Sequence, residues 1–475
     1  MTLERADVVI AGAGPAGSVL AALVARPARR VVLLHRPGAG SGVLAETVVG
    51  SAAPLFERLG LVDVVGRLGF QGAARHGAIW GAGDLAWRRL ASAERGYKLE
   101  REAFDSALRE RARAGGVEIV EDASARAPWG APRVRADRER ARSAVDELAR
   151  GAPGEAELAF DARVVVAAAG RTMPETLVDA RVVAELPATI ALNARVPDAG
   201  ELADATSIEA VPEGWWWWIP LQRGGASVTL FVDRGELGAR GRDALWRSAR
   251  EHARGPCRGA PAAFERGTTA APRLVETRAD VLLVGDAASC VDPLSSQGVE
   301  KALASAEHAA RCVNALLEGK LARAEVLAHR RAWERGLFEA HARSTLAFYA
   351  AERRFEGAPF WAKRHALAKT AAAARALPMP ERVRPNPELE PAHVLVPSGD
   401  ALAALPGQRV RGNDDAHAEF HGAPVDALLA CCAGGVAFDE FLARARLDPA
   451  LCTRSPSVVR EALVSALRAR VVSAC

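Results

Sequence analysis

The chain has 475 residues, of which 49% are hydrophobic and 25% charged, so it is long enough for one large two-layered unit and a smaller domain. Its 62 basic and 58 acidic residues leave a net charge of +4, which is too balanced to predict a nucleic-acid or membrane partner. Uncharged apolar runs stop short of the roughly 18 residues that a transmembrane helix needs.

The N-terminus and the cysteines predict a cytoplasmic protein. Residues 1–3 lead almost directly into the first apolar run, without the basic segment, apolar core and cleavage site of a signal peptide. The seven cysteines are odd in number and scattered, and they form no C-x-x-C pair. Free thiols in a reducing cytoplasm are the expected state for such cysteines.

The first thirty-odd residues carry the pattern of a βαβ nucleotide-binding unit. A short apolar run precedes Gly12, Gly14 and Gly17, and a run of helix formers leads to a second apolar run at 31–34. In such a unit the first glycine permits a tight turn, the second lets the backbone approach a pyrophosphate, and the third lets helix and strand pack closely. The helix N-terminus adds free N–H groups and partial positive charge. The pattern therefore predicts a bound dinucleotide.

The end of the second strand departs from this pattern. The acid that usually holds the adenosine ribose is replaced by His35, which is followed by Arg36. The ribose must then be held differently, or by His35 itself. Arg36 taken alone suggests a 2′-phosphate and hence NADP, so the identity of the cofactor depends on later motifs.

Downstream of this unit, hydrophobic periodicity and turn residues predict alternating helices, strands and loops. The alternation indicates a mixed α/β chain with an antiparallel sheet between two α/β parts. In chain order the predicted segments are a loop at 37–45, a helix ending near 59, a hairpin within 72–94, a helix from 101 to 114, a strand at 117–120, a solvated polar insertion at 124–157, a buried strand at 161–169, strands between 182 and 233, and a buried strand at 281–284.

The remainder is predicted to be largely helical until a proline-rich linker, with a distinct tail after it. A helix follows Gly298, and residues 325–378 have helical patterns. The linker is predicted at 384–391, in the run RPNPELEP. The tail at 392–475 shows short strand patterns, and helices follow near 424–432, 436–445 and 456–471.

Four ordered segments resemble the superfamily of FAD-dependent monooxygenases and tryptophan-halogenase-like flavoproteins. They are the glycine unit at 12–17, R-x-x-F-D at 101–105, G-W-x-W-x-I-P at 214–220, and G-D-A-A…D-P…G at 285–298. The third of these looks like the motif of flavin-dependent halogenases and their relatives. The resemblance extends from residue 6 to about residue 365.

The resemblance implies an α/β fold of mixed α+β character. We expect a Rossmann-like FAD-binding domain with an inserted antiparallel-sheet substrate domain, as in para-hydroxybenzoate hydroxylase, and a small C-terminal winged-helix-like domain. The expected parts are FAD-binding segments at 1–70, 99–180 and 271–325, substrate-domain segments at 71–98 and 181–270, a helical region at 326–383, and the C-terminal domain at 392–475.

The same resemblance implies FAD as the cofactor, O2 as a co-substrate, and either NAD(P)H or a flavin reduced by a partner reductase as the electron source. Asp286, at the end of a buried strand, is expected to accept a hydrogen bond from a ribityl hydroxyl. The backbone that opens the following helix is expected to place N–H groups against the flavin pyrimidine edge. The predicted cofactor-binding residues are Gly12, Gly14, Ala16, Gly17, His35, Arg36, Arg101, Gly285, Asp286, Pro293, Gln297 and Gly298.

The tryptophan run is expected to lie on a strand beside the flavin. Side chains alternate between the two faces of a strand, so Trp215 and Trp217 share one face, and Trp216 and Trp218 share the other. Both pairs therefore cannot face one substrate. We predict that Trp215, Trp217 and Pro220 line the substrate pocket, the alternative being a purely structural role for the tryptophans.

Hydroxylation is favoured over halogenation by a missing lysine. Halogenases resemble one another in a lysine just ahead of a G-E-S segment, which holds the hypohalous species. The matching position here lies close to Val43, and no lysine precedes Lys98. The expected reaction is hydroxylation of an aromatic ring through a flavin C4a-hydroperoxide. Halogenation is one alternative, and an FAD or NADP reductase or dehydrogenase, supported by His35 and Arg36, is another.

A narrower resemblance concerns the substrate. The tryptophan motif, the missing lysine, the D-P-L-S-S-Q-G run and the extra C-terminal segment together are most similar to flavoproteins that mature tryptophylquinone cofactors. Those enzymes hydroxylate a tryptophan in a partner polypeptide. The expected partners are therefore an indole or other aromatic substrate, borne by a polypeptide or a carrier or free, and a flavin reductase. A packing or dimerisation role for the C-terminal segment is the alternative.

Hydroxylation also needs a proton donor or base near the ring. Glu46 and Glu300, which lie near the two predicted flavin-side loops, are the candidates. For each of them the alternative is a salt-bridged or helix-capping acid. Asp292 is better suited to setting the conformation of its loop.

A metal site is not expected. The histidine pair with H-x-x-x-H spacing is His417 and His421, which lie in a turn-rich part of the tail. Two ligands alone do not make a site, and a third would have to come from Asp414, Asp415 or Glu419. The cysteines lack the spacing of metal ligands.

Overall fold

A computed structural model of the chain describes residues 3–36, 45–81, 83–121, 123–126, 133–138, 157–172, 180–222, 224–375, 380–413 and 415–475. The loop predicted at 37–45 lies outside the described residues except at its last position, and so does much of the insertion predicted at 124–157. In the described part of the chain, no helix is both long and apolar enough to span a bilayer. The chain forms two compact units, Met1–Ala310 with Glu334–Ala371, and Arg311–Trp333 with Ala372–Cys475.

The first part of the chain alternates strands and helices. Its elements are β1 (Leu3–Ala11), α1 (Pro15–Val24), β2 (Val31–Leu34), β3 (Ala45–Val48), α2 (Ala53–Arg58), α3 (Val62–Arg67), β4 (Arg75–Ile79), β5 (Ala86–Arg89), β6 (Tyr97–Glu100), α4 (Arg101–Ala114), β7 (Glu118–Val120), β8 (Ala123–Arg126), β9 (Arg133–Arg138) and β10 (Glu157–Ala167).

The middle of the chain is rich in strands and then becomes helical. Its elements are β11 (Arg181–Glu185), β12 (Thr189–Val196), β13 (Ala205–Val211), β14 (Gly214–Pro220), β15 (Ala226–Asp233), α5 (Arg234–Arg240), α6 (Arg242–His252), β16 (Arg266–Ala270), β17 (Arg273–Glu276), β18 (Leu282–Leu283), β19 (Ser289–Cys290), α7 (Gly298–Glu318), α8 (Arg323–Ala351) and α9 (Pro359–Arg375).

The C-terminal part combines short strands with three predicted helices. Its elements are β20 (Arg382–Pro385), β21 (Leu389–Ser398), β22 (Ala401–Val410), β23 (Ala416–His417), β24 (Glu419–Phe420), β25 (Ala423–Pro424), α10 (Val425–Cys432), β26 (Val436–Ala437), α11 (Phe438–Leu447), α12 (Pro456–Arg468) and β27 (Val472–Ala474).

A parallel sheet forms the centre of the first unit. β1 pairs in parallel with β2 on one side and β10 on the other, β7 pairs in parallel with β2, and β18 pairs in parallel with β10. The runs Val8–Ile10 and Val164–Val166 are at most 2% exposed, as expected of parallel strands that are covered on both faces. The carboxyl ends of β1, β10 and β18 therefore meet at one edge of this sheet.

A second, largely antiparallel sheet has the strand order β16-β12-β15-β14-β13-β4-β5. It confirms the predicted antiparallel sheet and includes the hairpin β4–β5, which was predicted within 72–94. β11 falls inside the predicted substrate segment at 181–270, but it pairs with β17 in a separate three-stranded sheet that also contains β19. The described parts of the predicted insertion, β8 and β9, extend the parallel sheet as an antiparallel pair.

The linker predicted at 384–391 is wrong. Arg384 and Pro385 belong to β20, the central strand of a three-stranded sheet with β26 and β27, and residues 389–391 begin β21. Val383 of β20 is fully buried in the core of the second unit. β21 and β22, which have ten residues each, form an antiparallel hairpin. α10, α11 and α12 confirm the three helices predicted in the tail. They follow the hairpin and pack in one apolar cluster with Val383.

Candidate functional site

The glycine turn after β1 is crowded at two glycines and open at the third. Gly12 has φ +110°, and a Cβ there would collide with the Ala168 carbonyl group. A Cβ on Gly17 would collide with the Gly12 carbonyl oxygen, whereas a Cβ on Gly14 would meet no atom within 4 Å. The turn thus closes against β10 and α1 but leaves a space at Gly14, where a pyrophosphate is predicted to approach the backbone.

The N-terminus of α1 is suited to an anion. Gly14 precedes the helix, Pro15 occupies its first position, and no side chain caps the first turn. The first turn also lacks acidic residues. Its N–H groups and the helix dipole are therefore available to a phosphate.

The second predicted motif packs against this helix. Gly285 has φ +66°, and a Cβ there would lie 2.7 Å from the Cβ of Ala16 in the first turn of α1. The Asp286 side chain is 33% exposed, and its Oδ1 lies 3.6 Å from the buried Lys301 ammonium. The tertiary structure therefore brings together six predicted cofactor-binding residues, which are Gly12, Gly14, Ala16, Gly17, Gly285 and Asp286.

A buried ion-pair network, which sequence reasoning missed, holds the Gly285–Ser289 segment. Lys301 Nζ donates to the carbonyl oxygen of Gly285 at 2.7 Å and to that of Ser289. It lies 3.6 Å from Glu334 Oε1, and the hydroxyls of Ser289 and Ser305 donate to the same carboxylate at 2.5 and 3.0 Å. Ser305 in turn accepts from Gly285 N. The segment is thus anchored at both ends.

The loop before α7 is set by Asp292, as predicted. Asp292 Oδ1 accepts from Leu294 N at 3.0 Å and so caps the turn Pro293–Ser295. The Tyr349 hydroxyl lies 3.1 Å from both carboxylate oxygens. Burial raises the pKa of Asp292. Ser296 has φ +51°, in the left-handed region that non-glycine residues rarely adopt. Such strained backbone is concentrated at functional loops.

The two ends of this loop are held by different groups. Gln297 Oε1 lies 2.9 Å from His341 Nδ1, and α7 begins at Gly298. Leu294 packs on the aromatic cluster that contains Trp215 and Tyr349. The loop therefore connects the parallel sheet to the antiparallel sheet.

We expect Tyr349→Phe to weaken both this loop and cofactor binding. The buried Asp292 carboxylate would keep only its backbone donor, which should cost about 1–3 kcal/mol of unfolding free energy. Equilibrium unfolding and a flavin titration would measure the two effects. Tyr97→Phe is the matched control, since the Tyr97 ring packs against Phe56 at 5.3 Å and its hydroxyl has no hydrogen bond to a described residue. Equal effects of both substitutions would contradict this role for Tyr349.

Arg101, the first residue of α4, connects this helix to the strand β3. Its guanidinium binds Asp105 through two nitrogens at 3.1 and 3.0 Å and Glu46 through a third at 2.7 Å. Burial lowers the pKa of Arg101, but the two carboxylates raise it by more, so the net shift of the pKa is upward. Glu46 is thus placed as an ion-pair partner of Arg101, which is the alternative that the sequence had left open for it.

Glu300, the other candidate acid, lies in the first turn of α7. Its Oε2 atom is buried without a hydrogen-bond partner in the described structure. Burial raises the pKa of this carboxyl. Of the two predicted acids, Glu300 is therefore the one without an ion pair to a described residue.

A carboxylate does lie near His35, although it comes from another strand end. The backbone N–H of His35 donates to the Val120 carbonyl at 2.9 Å, and His35 Nε2 lies 3.8 Å from Glu121 Oε2. Glu121 also pairs with Arg113 at 2.9 Å. Because β7 lies beside β2, the residue after β7 places a carboxylate near position 35. Sequence spacing alone could not show this.

The tryptophan strand alternates as predicted. Trp216 donates to the Ala249 carbonyl at 3.1 Å and contacts Trp246 edge-on, in the core on one side of the sheet. Trp215 stacks on Phe231 with ring centroids 4.0 Å apart, on the other side with Trp217.

We call this second side, defined by Ala191, Ala210, Trp215, Trp217, Ile219 and Phe231, the loop-facing side. Ala45, which begins β3, and Leu294, from the loop before α7, pack on it. Pro220 pairs with Ala226, which belongs to the core on the opposite side of the sheet. Because side chains alternate along a strand, Pro220 does not share a face with Trp215 and Trp217, and its predicted place beside them is wrong.

The histidine pair in the tail makes other contacts. The His417 ring lies 4.8 Å from that of Phe420, and His421 Nε2 lies 2.9 Å from Ser465 Oγ. Asp414 lies outside the described residues. Among the residues that the structure describes, no three His, Cys, Asp or Glu side chains are grouped as metal ligands.

Comparisons with known proteins agree with this architecture. The sequence model described as tryptophan halogenase matches residues 81–401. A tryptophan 2-halogenase of Chondromyces crocatus is 26% identical over 381 residues, which cover 74% of this chain and 69% of that protein. Two solved structures are similar to this chain over nearly its whole length.

The first is the peptidyl tryptophan dihydroxylase QhpG, essential for tryptophylquinone cofactor biogenesis, with a TM-score of 0.64, 21% identity, and coverage of 98% of this chain and 99% of that one. The second is the flavin-dependent halogenase CmlS, with a TM-score of 0.68, 18% identity, and coverage of 99% and 96%. At these identities the likeness shows the fold, and it confirms the predicted mixed α/β architecture.

Proposed function

The chain belongs to the tryptophan halogenase family, whose members are flavin-dependent oxidoreductases, and from this premise we propose that it is an FAD-dependent monooxygenase. The proposed reaction is hydroxylation of the indole ring of a tryptophan in a partner polypeptide. The observation that carries the proposal is the loop-facing side of the antiparallel sheet, where apolar and aromatic side chains pack with Leu294 of the loop before α7. In the sequence, the first lysine is Lys98.

The residues present fit FAD. The space at Gly14 beside the free N-terminus of α1 suits a pyrophosphate, and the partly exposed Asp286 suits a ribityl hydroxyl. When bound and reduced, FAD supplies two electrons to O2, so that one oxygen atom enters the ring and the other leaves as water. NAD(P)H or a separate flavin reductase would deliver those electrons.

The chain's own residues would exclude water and hold the reacting groups. Trp215, Tyr349, Phe360 and Trp361 are at most 1% exposed and pack in one cluster with Leu294 of the loop. A dry site prevents the loss of reactive oxygen species to solvent. Asp292, held by Tyr349, would keep the loop N–H groups in place.

Glu300 is proposed to exchange the proton that the reaction needs. Its buried oxygen without a hydrogen-bond partner and its raised pKa, which is caused by burial, suit a group that exchanges a proton. Glu46 is proposed instead to position Arg101. In the product assay described below, Glu300→Gln should slow product formation at least about tenfold. Unchanged product formation would exclude this role.

A polypeptide substrate is supported by QhpG, whose name states that it acts on a peptidyl tryptophan and which matches 98% of the chain. CmlS, named as a halogenase, covers the chain equally. The second unit therefore does not decide between a peptide and a small molecule. A direct comparison of substrates is needed.

The test uses full-length protein loaded with FAD, a flavin reductase with NADH, O2, and both chloride and bromide. N-acetyltryptophanamide represents a peptidyl tryptophan, and free tryptophan is the comparison. We expect a product heavier by one oxygen atom, formed faster from N-acetyltryptophanamide. A halogen isotope pattern would overturn the hydroxylase proposal, and substrate oxidation without oxygen incorporation would indicate a reductase or dehydrogenase.

Halogenation is the second candidate function. The observation that favours it is the 26% identity to a tryptophan 2-halogenase over 74% of the chain. The same loop-facing side that shields an oxygen-transfer site would also shield a hypohalous species. The assay above includes both halides and so tests the two candidates together.

A further inference from the structure

Beyond the aromatic cluster, the loop-facing side carries a band of buried polar side chains. Cross-strand pairing aligns Ala191, Phe231 and Trp215 in one row across β12, β15 and β14. A second row lies two residues away on each of the three strands. In it Asn193 pairs with Thr229, which pairs with Trp217. Because the side-chain period is two, this second row faces the same side as the first.

Asn193 is the centre of this band. Its Nδ2 donates to Thr229 Oγ1 at 2.6 Å and to Ser227 Oγ at 2.9 Å. Asn193 is 5% exposed, Ser227 1% and Thr229 7%. Both amide hydrogens of Asn193 are thus used within the sheet.

The remaining atom of this amide has no partner. Asn193 Oδ1 is buried and accepts no hydrogen bond from the described residues. A buried acceptor without a donor costs about 1–3 kcal/mol, so nearly all such groups in native proteins are satisfied. An orphaned acceptor on the side that faces the flavin loops therefore indicates a donor that arrives with a ligand.

We propose that Asn193 Oδ1 is a specificity-determining acceptor for the ring N–H of an indole substrate. Trp217, one strand beyond Thr229 and 8% exposed, supplies an aromatic wall beside it. An indole combines a flat apolar ring with a single N–H donor, and this band offers a flat aromatic neighbour and a single free acceptor. The inference deepens the proposed function and rests on its assignment of an indole substrate.

A purely structural polar ladder within the sheet is the competing explanation. Ser207 on β13 provides the matched comparison, since its Oγ is also buried and without a hydrogen-bond partner. Ser207 pairs with Trp218, which packs in the core on the opposite side. It should therefore be irrelevant to ligands on the loop-facing side.

The experiment measures binding, so it does not depend on turnover. Equilibrium dialysis of the FAD-loaded, full-length protein would compare indole with benzofuran, in which oxygen replaces the ring N–H. We expect the wild type to bind indole about tenfold or more tightly than benzofuran. Asn193→Leu should abolish this preference, and Ser207→Ala should retain it. Asn193→Asp, which keeps an acceptor, should also retain it and serves as a second variant if the leucine variant does not fold.

The outcomes separate this inference from the proposed function. Equal affinity of the wild type for both rings, binding of neither ring, or a preference that survives in Asn193→Leu would each overturn the role of Asn193. The first of these results is also expected if the free atom of the amide is Nδ2. A clear preference for indole together with a halogenated product would leave the role of Asn193 standing and reject hydroxylation.

Discussion

Gly14→Ala should weaken FAD binding about ten- to hundredfold with little effect on the fold, whereas Gly17→Ala should destabilise the fold itself. A methyl group at Gly14 meets no protein atom within 4 Å, so it would fill the space predicted for the pyrophosphate. Gly14 also has φ −75°, which alanine adopts without strain. Overpacking of this kind costs about 1–3 kcal/mol, and here the cost would reduce the free energy of FAD binding.

At Gly17 the same methyl group would collide with the Gly12 carbonyl oxygen, a backbone atom that cannot rotate away. The free energy of unfolding of the apoprotein should therefore fall by about 3 kcal/mol. Flavin titration gives the affinity, and thermal unfolding without FAD gives the stability. Wild-type affinity in Gly14→Ala would place the pyrophosphate elsewhere. Wild-type stability in Gly17→Ala would contradict the close packing of α1 on the turn.

Lys301→Met should destabilise the first unit by about 3–5 kcal/mol. Lys301 is fully buried, and its removal would take away the ammonium group that lies 3.6 Å from the Glu334 carboxylate, which is 4% exposed. The carbonyl groups of Gly285 and Ser289 would also lose the hydrogen bonds that they accept from this ammonium group. Because these carbonyls flank Asp286, we also expect weaker flavin binding.

Lys320→Met is the matched control for this substitution. Lys320 is 79% exposed and forms a surface ion pair with Glu318 at 3.1 Å, so its loss should change stability by less than about 1 kcal/mol. Equilibrium unfolding followed by flavin release and tryptophan fluorescence would compare the two variants. The double variant Lys301→Met/Glu334→Gln should recover part of the loss, since the side chain that faced the lost ammonium group is then uncharged as well. A Lys301→Met protein as stable as Lys320→Met would contradict a structural ion pair.

The fold was largely predictable because its strongest signals are local. The glycine turn, the buried β-branched runs and the period-two tryptophan strand each depend on neighbouring residues only. The three helices of the tail likewise follow from hydrophobic periodicity. The linker prediction failed because it rested on prolines, two of which, Pro385 and Pro391, lie in the strands β20 and β21.

The site was predictable in outline but not in its hydrogen bonds. Glycines, Asp286 and the loop before α7 could be placed from their motifs. The partners of the candidate acids could not, because Glu46 meets Arg101 from 55 positions away. The acid near His35 was missed for the same reason, since Glu121 follows a strand that is adjacent in the sheet and distant in sequence.

By itself, then, the sequence predicted where the backbone would approach a pyrophosphate, and it determined which tryptophans share a face. Both follow from the absence of a Cβ and from the alternation of side chains along a strand. Only the tertiary structure decided that Lys301 pairs with Glu334 and that Asn193 is held by Ser227 and Thr229, which lie 34 and 36 positions away. Such contacts depend on strand register and helix packing. These bring side chains together without leaving a pattern in either segment alone.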